Sequence, residues 1–349
     1  MVKIMANTYK LKHERDFFEK EKTIDVIKNS NSAILRIKDM VDFELFRPKL
    51  EAEILNKNKG KKGAKPYDLI LLLKMLLLKQ IYNFSYEKIE FECINQTIFR
   101  MFLDIDNLED IPDANTLCNF FHKLEKNDVA KQLFDEFYNL LENKGAILNE
   151  GKIVDATIIE VPIRHNSSKK DDKQCNLIPE ENDKKIKENT ASWTKKHGKY
   201  YFGFKNHIKI DAKSKFIDTY EVTTASTHDS QALEKLLEKS DRGQILYADS
   251  AYIGQPIKKM LNKYGVKSFI LEKGYRNKTL RVAQKIINRL RSKIRVRIEH
   301  IFGFMENSMG GKYRRVQNLQ AMRTTVGLMN LCYNIFRYEQ VMRLKLLTV

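Results

Sequence analysis

Between about Phe43 and Lys144, apolar residues recur at three- and four-residue spacing, the period of helices packed on one side, and little of this stretch alternates as a strand does. The densest run, Leu69 to Leu78, is apolar at every position except Lys74. A helix apolar on nearly all sides belongs at the centre of a bundle, and this run is too short to cross a bilayer. Ser85 ahead of YEKIEFECIN and Asp113 ahead of ANTLCNFFHKLEK are placed to cap two further helices, because their side-chain oxygens accept from first-turn amides. Short helices and short turns allow a helix-turn-helix. Asn115, Asn119, His122, Lys123 and Lys126 then share a helix face that can meet a DNA groove, although an ordinary solvated face has the same composition.

After Asn149 the texture changes. KIVDATIIEVP, YFGFKNHIKID, FIDTYEVTTAS and QILYADSAY read as strands, separated by polar or turn-like stretches. Residues 165 to 198 are so polar that they predict a long surface loop or insert. Helical spacing returns at DSQALEKLLEKS, where Asp229 is placed as a cap, at PIKKMLNKYG, and from Arg281 to about Asn307. A last helix, from about Leu319 to Leu346, carries Met322, Val326, Met329, Tyr333, Phe336 and Met342 as core positions. The pattern predicts an all-helical region over 1–148 and a mixed α/β domain over 149–349.

Charge adds a partner class. Lys and Arg number 63 against 45 Asp and Glu, a net +18, which suits a polyanion because each neutralised phosphate releases counterions. Ribosomal proteins, membrane-surface proteins and nucleases share that balance, so charge favours nucleic acid without naming it. The surplus is local: from Leu271 to Arg315, 13 Lys and Arg stand against 3 acidic residues. Cys93, Cys118, Cys175 and Cys332 form no CxxC pair, which indicates neither a zinc module nor a disulfide framework and fits a reducing cytoplasm. The amino terminus lacks an apolar signal core, so the expected place is the cytoplasm, with no membrane partner.

Three acids are singled out by context. In KIVDATIIEVP, alternation puts Ile153, Asp155, Thr157 and Ile159 on one face and Val154, Ala156 and Ile158 on the other. Asp155 thus sits inside an apolar strand, where a carboxylate needs an exposed edge, a hydrogen bond or a cation. Asp249 ends the apolar run QILYA. Glu299 lies beside an apolar helical stripe of Ile287, Leu290, Ile294, Ile298, Ile301 and Met305, one turn beyond Arg295. Structural roles also suit these acids: a turn cap for Asp155, an Asx-turn for Asp249 and a helix ion pair with Arg295 for Glu299.

The order of these segments resembles the DDE transposases of bacterial insertion sequences, specifically the group named after insertion sequence five. GAKPYDLILLLKMLLLKQIYNFSYEKIE and IPDANTLCNFFHKLE resemble that group's amino-terminal helical region. IVDATIIEVP resembles its first-aspartate strand, YFGFKNHIKID with VTTASTHDSQAL its middle strands and helix, YADSAY its second-aspartate strand, and RVRIEHIFG its glutamate helix. Five such strings in the correct order cover most of the chain.

The resemblance implies a ribonuclease-H-like mixed sheet flanked by helices. It implies that Asp155, Asp249 and Glu299 are the catalytic and metal-binding triad for two Mg²⁺ ions, with Mn²⁺ as a substitute. The implied reaction nicks transposon ends by hydrolysis and joins the 3′-hydroxyls to target DNA. The implied partners are double-stranded DNA, as terminal inverted repeats and target, and further copies of the chain, at least a homodimer on DNA. Arg295 matches the family's arginine and Lys205 a recurrent lysine, which suits a phosphate contact and an ordinary strand edge equally well; Arg291 on the same basic helix, with Asn119 and Lys123, adds to the expected DNA contacts. Two positions depart from the pattern: Ser292 replaces a tyrosine and Glu306 a lysine that help to hold end DNA, with Lys312, Arg314 and Arg315 as substitutes. Only about 50 residues separate Asp249 from Glu299, room for one helix, one strand in KSFILEK and the glutamate helix. Trp193 suits either stacking on an unpaired base or anchoring a loop. A non-catalytic DNA-binding regulator and another ribonuclease-H-like nuclease are the competing classes.

Overall fold

The computed structural model describes residues 19–54, 65–163, 190–196, 198–274, 279–316 and 318–346. Up to residue 143 these form helices α1 (Glu19–Asn29), α2 (Ala33–Met40), α3 (Arg47–Ile54), α4 (Leu69–Tyr82), α5 (Tyr86–Asn95), α6 (Thr97–Leu103), α7 (Ala114–Glu125) and α8 (Val129–Asn143). The run at Leu69 becomes α4 and is buried on nearly every side. Its charge, Lys74, is neutralised by Asp104 at 2.9 Å and lies over the rings of Phe43 and Phe102, as a buried ammonium requires. Ser85 Oγ accepts from the Lys88 amide at 3.1 Å, and Asp113 caps α7 through the Thr116 amide. No single helix among the described residues is long and apolar enough to cross a membrane.

The second half supplies strands β1 (Lys152–Glu160), β2 (Ser192–Lys196), β3 (Lys199–Asp211), β4 (Ile217–Thr224), β5 (Ile245–Ala248) and β6 (Lys267–Ser268), and helices α9 (Asp229–Leu236), α10 (Gln255–Tyr264), α11 (Val282–Met309) and α12 (Leu319–Arg343). β3 lies antiparallel between β1 and β4, whereas β5 runs parallel to β1 and β6 parallel to β5. Three antiparallel strands followed by two parallel ones, with helices on both faces, is the ribonuclease-H-like arrangement. β2 extends the edge formed by β4, because Gly203 of β3 pairs with Glu160 on one side and Ser192 on the other. Most of the polar stretch 165–198 lies outside the described residues, but residues 192–196 form this strand rather than loop. The strand anticipated in KSFILEK shortens to β6, although the Phe269 and Leu271 amides still donate to the carbonyls of Leu246 and Ala248.

One apolar core runs from the amino-terminal helices through one sheet face to α11 and α12. A smaller core, with Val154, Leu246, Ala248 and residues of α9 and α10, covers the other face. The two halves of the chain therefore differ in secondary structure but share a core. α12 matches the expected last helix, with Met322, Val326, Met329 and Tyr333 buried and Met342 exposed near its end. The apolar stripe of α11 is buried at Ile298, Ile301 and Met305, whereas Ile287 and Leu290 stand exposed. Apolar spacing continues there after the packing partner has ended.

β1 and β3 approach too closely for any side chain at Gly203. A Cβ there would lie 2.0 Å from the Ile159 carbonyl oxygen, a backbone atom that cannot turn aside. Gly203→Ala is expected to destabilise the fold by about 2 kcal/mol or more, seen as a thermal midpoint several degrees lower. An unchanged midpoint would contradict this reading of the β1–β3 pair.

Candidate active site

Register brings the first two acids together. Val154 of β1 pairs with Ala248 of β5 in parallel, so the next residues, Asp155 and Asp249, reach the same level of adjacent chains, about 5 Å apart at the backbone. Ile153 and Tyr247 belong to the core beneath α11, and Val154 and Ala248 to the opposite core. By alternation, both aspartates face the side that α11 covers. β5 stops at Ala248, and Asp249 then caps a short turn, its Oδ1 accepting from the Ser250 amide at 2.6 Å.

α11 crosses this face with Ile298, Ile301, Phe302 and Met305 buried and Arg295 and Glu299 one turn apart. The Arg295 guanidinium donates to Asp155 Oδ2 and lies 3.2 Å from Glu299 Oε1, so one cation joins the first acid to the third. Asp155 Oδ1 accepts from the Ala156 amide at 2.8 Å. The Asp155 side chain is 17% exposed and that of Glu299 52%. Asp155 is therefore the dry acid and Glu299 the reachable one. Burial pushes the Asp155 carboxyl up to about 6, against the opposing pull of the Ala156 amide and Arg295. The structural partners anticipated for Asp249 and Glu299 are both present, and the three acids still gather at one end of the sheet.

A family model described as "Transposase DDE domain" matches residues 148–335, more than half of the chain and all three acids. The chain belongs to this DDE transposase family. A second model, "Transposase domain (DUF772)", matches residues 22–123. Solved structures similar to the transposase include a piggyBac transposase synaptic complex with hairpin DNA (11% identity, TM-score 0.48, covering 92% of this chain and 77% of that one). Another is the Mos1 transposase paired-end complex with left transposon end (10% identity, TM-score 0.20, 74% and 83%). The family catalyses metal-dependent DNA cleavage and strand transfer, and a DNA transposase is what this chain is.

The donor chemistry of the transposase site suits a hard divalent cation, since Asp155, Asp249 and Glu299 offer carboxylate oxygens at one end of the sheet. Arg295 already places positive charge between two of them. Among the described residues no three such ligands close around a single point.

Several expected DNA contacts are occupied within the fold. Lys205 is mostly buried, 2.9 Å from Asp229, and donates to the Thr227 carbonyl, tying β3 to α9 instead of reaching a phosphate. His228, not Asp229, caps α9. Arg291 donates to the Ile270 carbonyl at 2.7 Å and lies over Phe269. Arg314 is 7% exposed and braces α4 by donating to Asn83 Oδ1, so it is not a surface substitute for the absent lysine. Lys312, Asn119 and Lys123 are exposed, as are Asn115, His122 and Lys126 around α7. Trp193 is exposed on β2 and packs against Phe202.

Three features were not anticipated from sequence. The Tyr252 hydroxyl is buried without a hydrogen-bond partner among the described residues, within electrostatic reach of Asp155, Asp229 and Asp249. Its signal was the second tyrosine of YADSAY. Glu306, two turns beyond Glu299, accepts from Thr157 Oγ1 at 3.2 Å, on the same β1 face as Asp155. Lys196, at the end of β2, lies close enough to lower the Asp155 pKa. No local motif signals that approach.

Proposed function

We propose that Asp155, Asp249 and Glu299 hold the two Mg²⁺ ions, or Mn²⁺ in their place, with which the transposase nicks its element's ends and joins the freed 3′-hydroxyls to target DNA. The observation that carries this reading is the shared level of Asp155 and Asp249 on neighbouring parallel strands, with Arg295 linking Asp155 to Glu299. When bound, the cations supply an activated attacking oxygen and charge stabilisation at the leaving one. Asp155 and Asp249 grip from the sheet, where β1 and β5 fix their spacing. Glu299 reaches from α11 on a more exposed side chain. Arg295 lowers the cost of the charged Asp155 carboxylate by donating to it, and its guanidinium would be free to meet a DNA phosphate if a metal took that oxygen. Incubation of the protein with its element's end DNA in Mg²⁺, Mn²⁺ or EDTA tests the reading. Nicks should map to the element boundary with either metal, and equal nicking in EDTA would overturn it.

The helical region, residues 1–148, is proposed to bind the terminal inverted repeats through the exposed face of α7, with at least two copies of the chain pairing two ends. Binding should weaken steeply between low and moderate salt as Lys and Arg displace counterions. Replacing both Asn119 and Lys123 with Ala should lower affinity for end DNA by about tenfold and for random duplex by less. Equal losses on both duplexes would restrict α7 to backbone contact.

A further inference from the structure

The first half of α11 is amphipathic in the reverse sense. Gln284, Asn288, Arg291 and Arg295, spaced four, three and four residues apart, share the side that holds the helix to the sheet. Gln284 Nε2 donates to Glu272 Oε2 at 2.5 Å, Asn288 exchanges hydrogen bonds with the Glu272 backbone at 2.9 and 3.0 Å, and Arg291 donates to the Ile270 carbonyl. The apolar residues are left outside. Val282, Ile286 and Leu290, on one face at four-residue spacing, are each more than half exposed. Exposed Arg281, Lys285, Arg289 and Lys293 surround them, and no acid occurs between Arg281 and Ile298. Because polar bonds fix how the helix is turned, this apolar face is held open, and such a face marks a contact surface.

A surface of matching chemistry and opposite charge lies beyond the other end of α11. Phe91 and Ile94 of α5 are exposed, as is Leu108. Residues 104–113 carry five exposed acids and no base. Asp104 is paired with Lys38 and Lys74, whereas Asp106, Glu109, Asp110 and Asp113 have no ion pair among the described residues. Glu90 of α5 accepts from the Ala114 amide at 2.7 Å, which sets α5 beside this stretch. Lys88, the base beside Phe91, is taken up by Glu92. Four uncompensated acids repel phosphate, so this surface suits a basic protein face and not DNA. α11 ends at Gly310, where an added Cβ would lie 2.4 Å from Asn83 Nδ2, three residues before α5 begins. From Leu290 to Gly310 the helix rises about 30 Å, so one chain cannot bring its own two faces together. A second copy laid antiparallel can. Two-fold symmetry then makes the contact twice, which doubles the buried area towards the about 800 Å² per partner of a stable interface.

We propose that two copies of the transposase pair by laying the basic, apolar face of α11 from one copy on the acidic, apolar surface of α5 and residues 104–113 of the other. This contact rests on the reading that at least two copies act together, and it is tested on protein alone, without DNA or divalent metal, so the catalytic assignment stands or falls separately. Sedimentation of the wild-type chain at micromolar concentration should show a dimer that weakens with salt. Arg289→Glu with Lys293→Glu in one variant, and Glu109→Lys with Asp110→Lys in another, should each raise the dimer dissociation constant at least about tenfold, because like charges then face each other. All four positions are exposed, so melting curves should stay near wild type. Mixed in equal amounts, the two variants should regain wild-type dimerisation, since each acidic α11 then meets a basic surface and each basic α11 an acidic one. Leu290→Gln, which leaves the charge unchanged, should weaken the dimer as well. A mixture that stays monomeric, a charge-reversed variant that dimerises like wild type, or a wild-type chain that remains monomeric at tens of micromolar would overturn the contact. Complexes of two DNA ends formed normally by both variants would also overturn it, while leaving the pairing of copies standing on another surface.

Discussion

Asp155→Asn is expected to slow Mg²⁺-dependent nicking of end DNA by about a thousandfold or more, with end binding close to wild type. The amide keeps the shape of the side chain on β1 but gives up the anionic oxygen that a metal needs. Stability should move little because two effects oppose. Burial disfavours the Asp155 charge, raising its pKa to about 6, so neutralising it relieves a penalty. Arg295 loses one partner in exchange and keeps Glu299. Single-turnover nicking, a gel-shift titration and a melting curve on one preparation separate these effects. Wild-type nicking by Asp155→Asn would remove this residue from the site.

Glu299→Gln should also cost orders of magnitude in strand cleavage, and it carries more information because α11 offers two candidates. Glutamine preserves side-chain size and helix propensity, so the basic residues around it stay in place. End binding should hold or strengthen slightly as repulsion of phosphate disappears. Glu306→Gln is the necessary comparison, since Glu306 faces β1 through Thr157 and lies on the same helix two turns beyond Glu299. The expected result is a cleavage defect in Glu299→Gln and near wild-type cleavage in Glu306→Gln. The reverse pattern would mean that the third carboxylate is two turns further along the helix.

Much of this arrangement was legible wherever a local period or a cap determines it. α4 announces itself because an unbroken apolar run has nowhere to go but the centre of a bundle. The faces of β1 follow from a period of two, which already set Asp155 apart from Val154. Register was not legible: the pairing of Val154 with Ala248 joins segments more than ninety residues apart in sequence, and no local signal encodes it. The direction of long basic side chains was equally hidden. Lys205 and Arg314 look in sequence like surface charges, but Asp229 captures one and Asn83 the other. Spacing placed Arg295 one turn before Glu299, yet its contact with Asp155 exists only because α11 crosses β1 at that level.

Three carboxylates sharing divalent metal at the end of β1 and β5 should be visible as metal placement in a DNA-bound crystal. Crystals of the wild-type transposase with uncleaved end DNA, grown with Mn²⁺ at a pH that suppresses cleavage, allow the ions to be located by anomalous scattering. Two peaks about 4 Å apart are expected, each about 2.1 Å from its carboxylate oxygens. Asp155 and Asp249 should contact the same ion, Glu299 should contact one of the pair, and the Arg295 guanidinium should have left Asp155 for a phosphate. Peaks bound by Glu306 in place of Glu299, or none beside Asp155 and Asp249 with the scissile phosphate in place, would contradict the shared site.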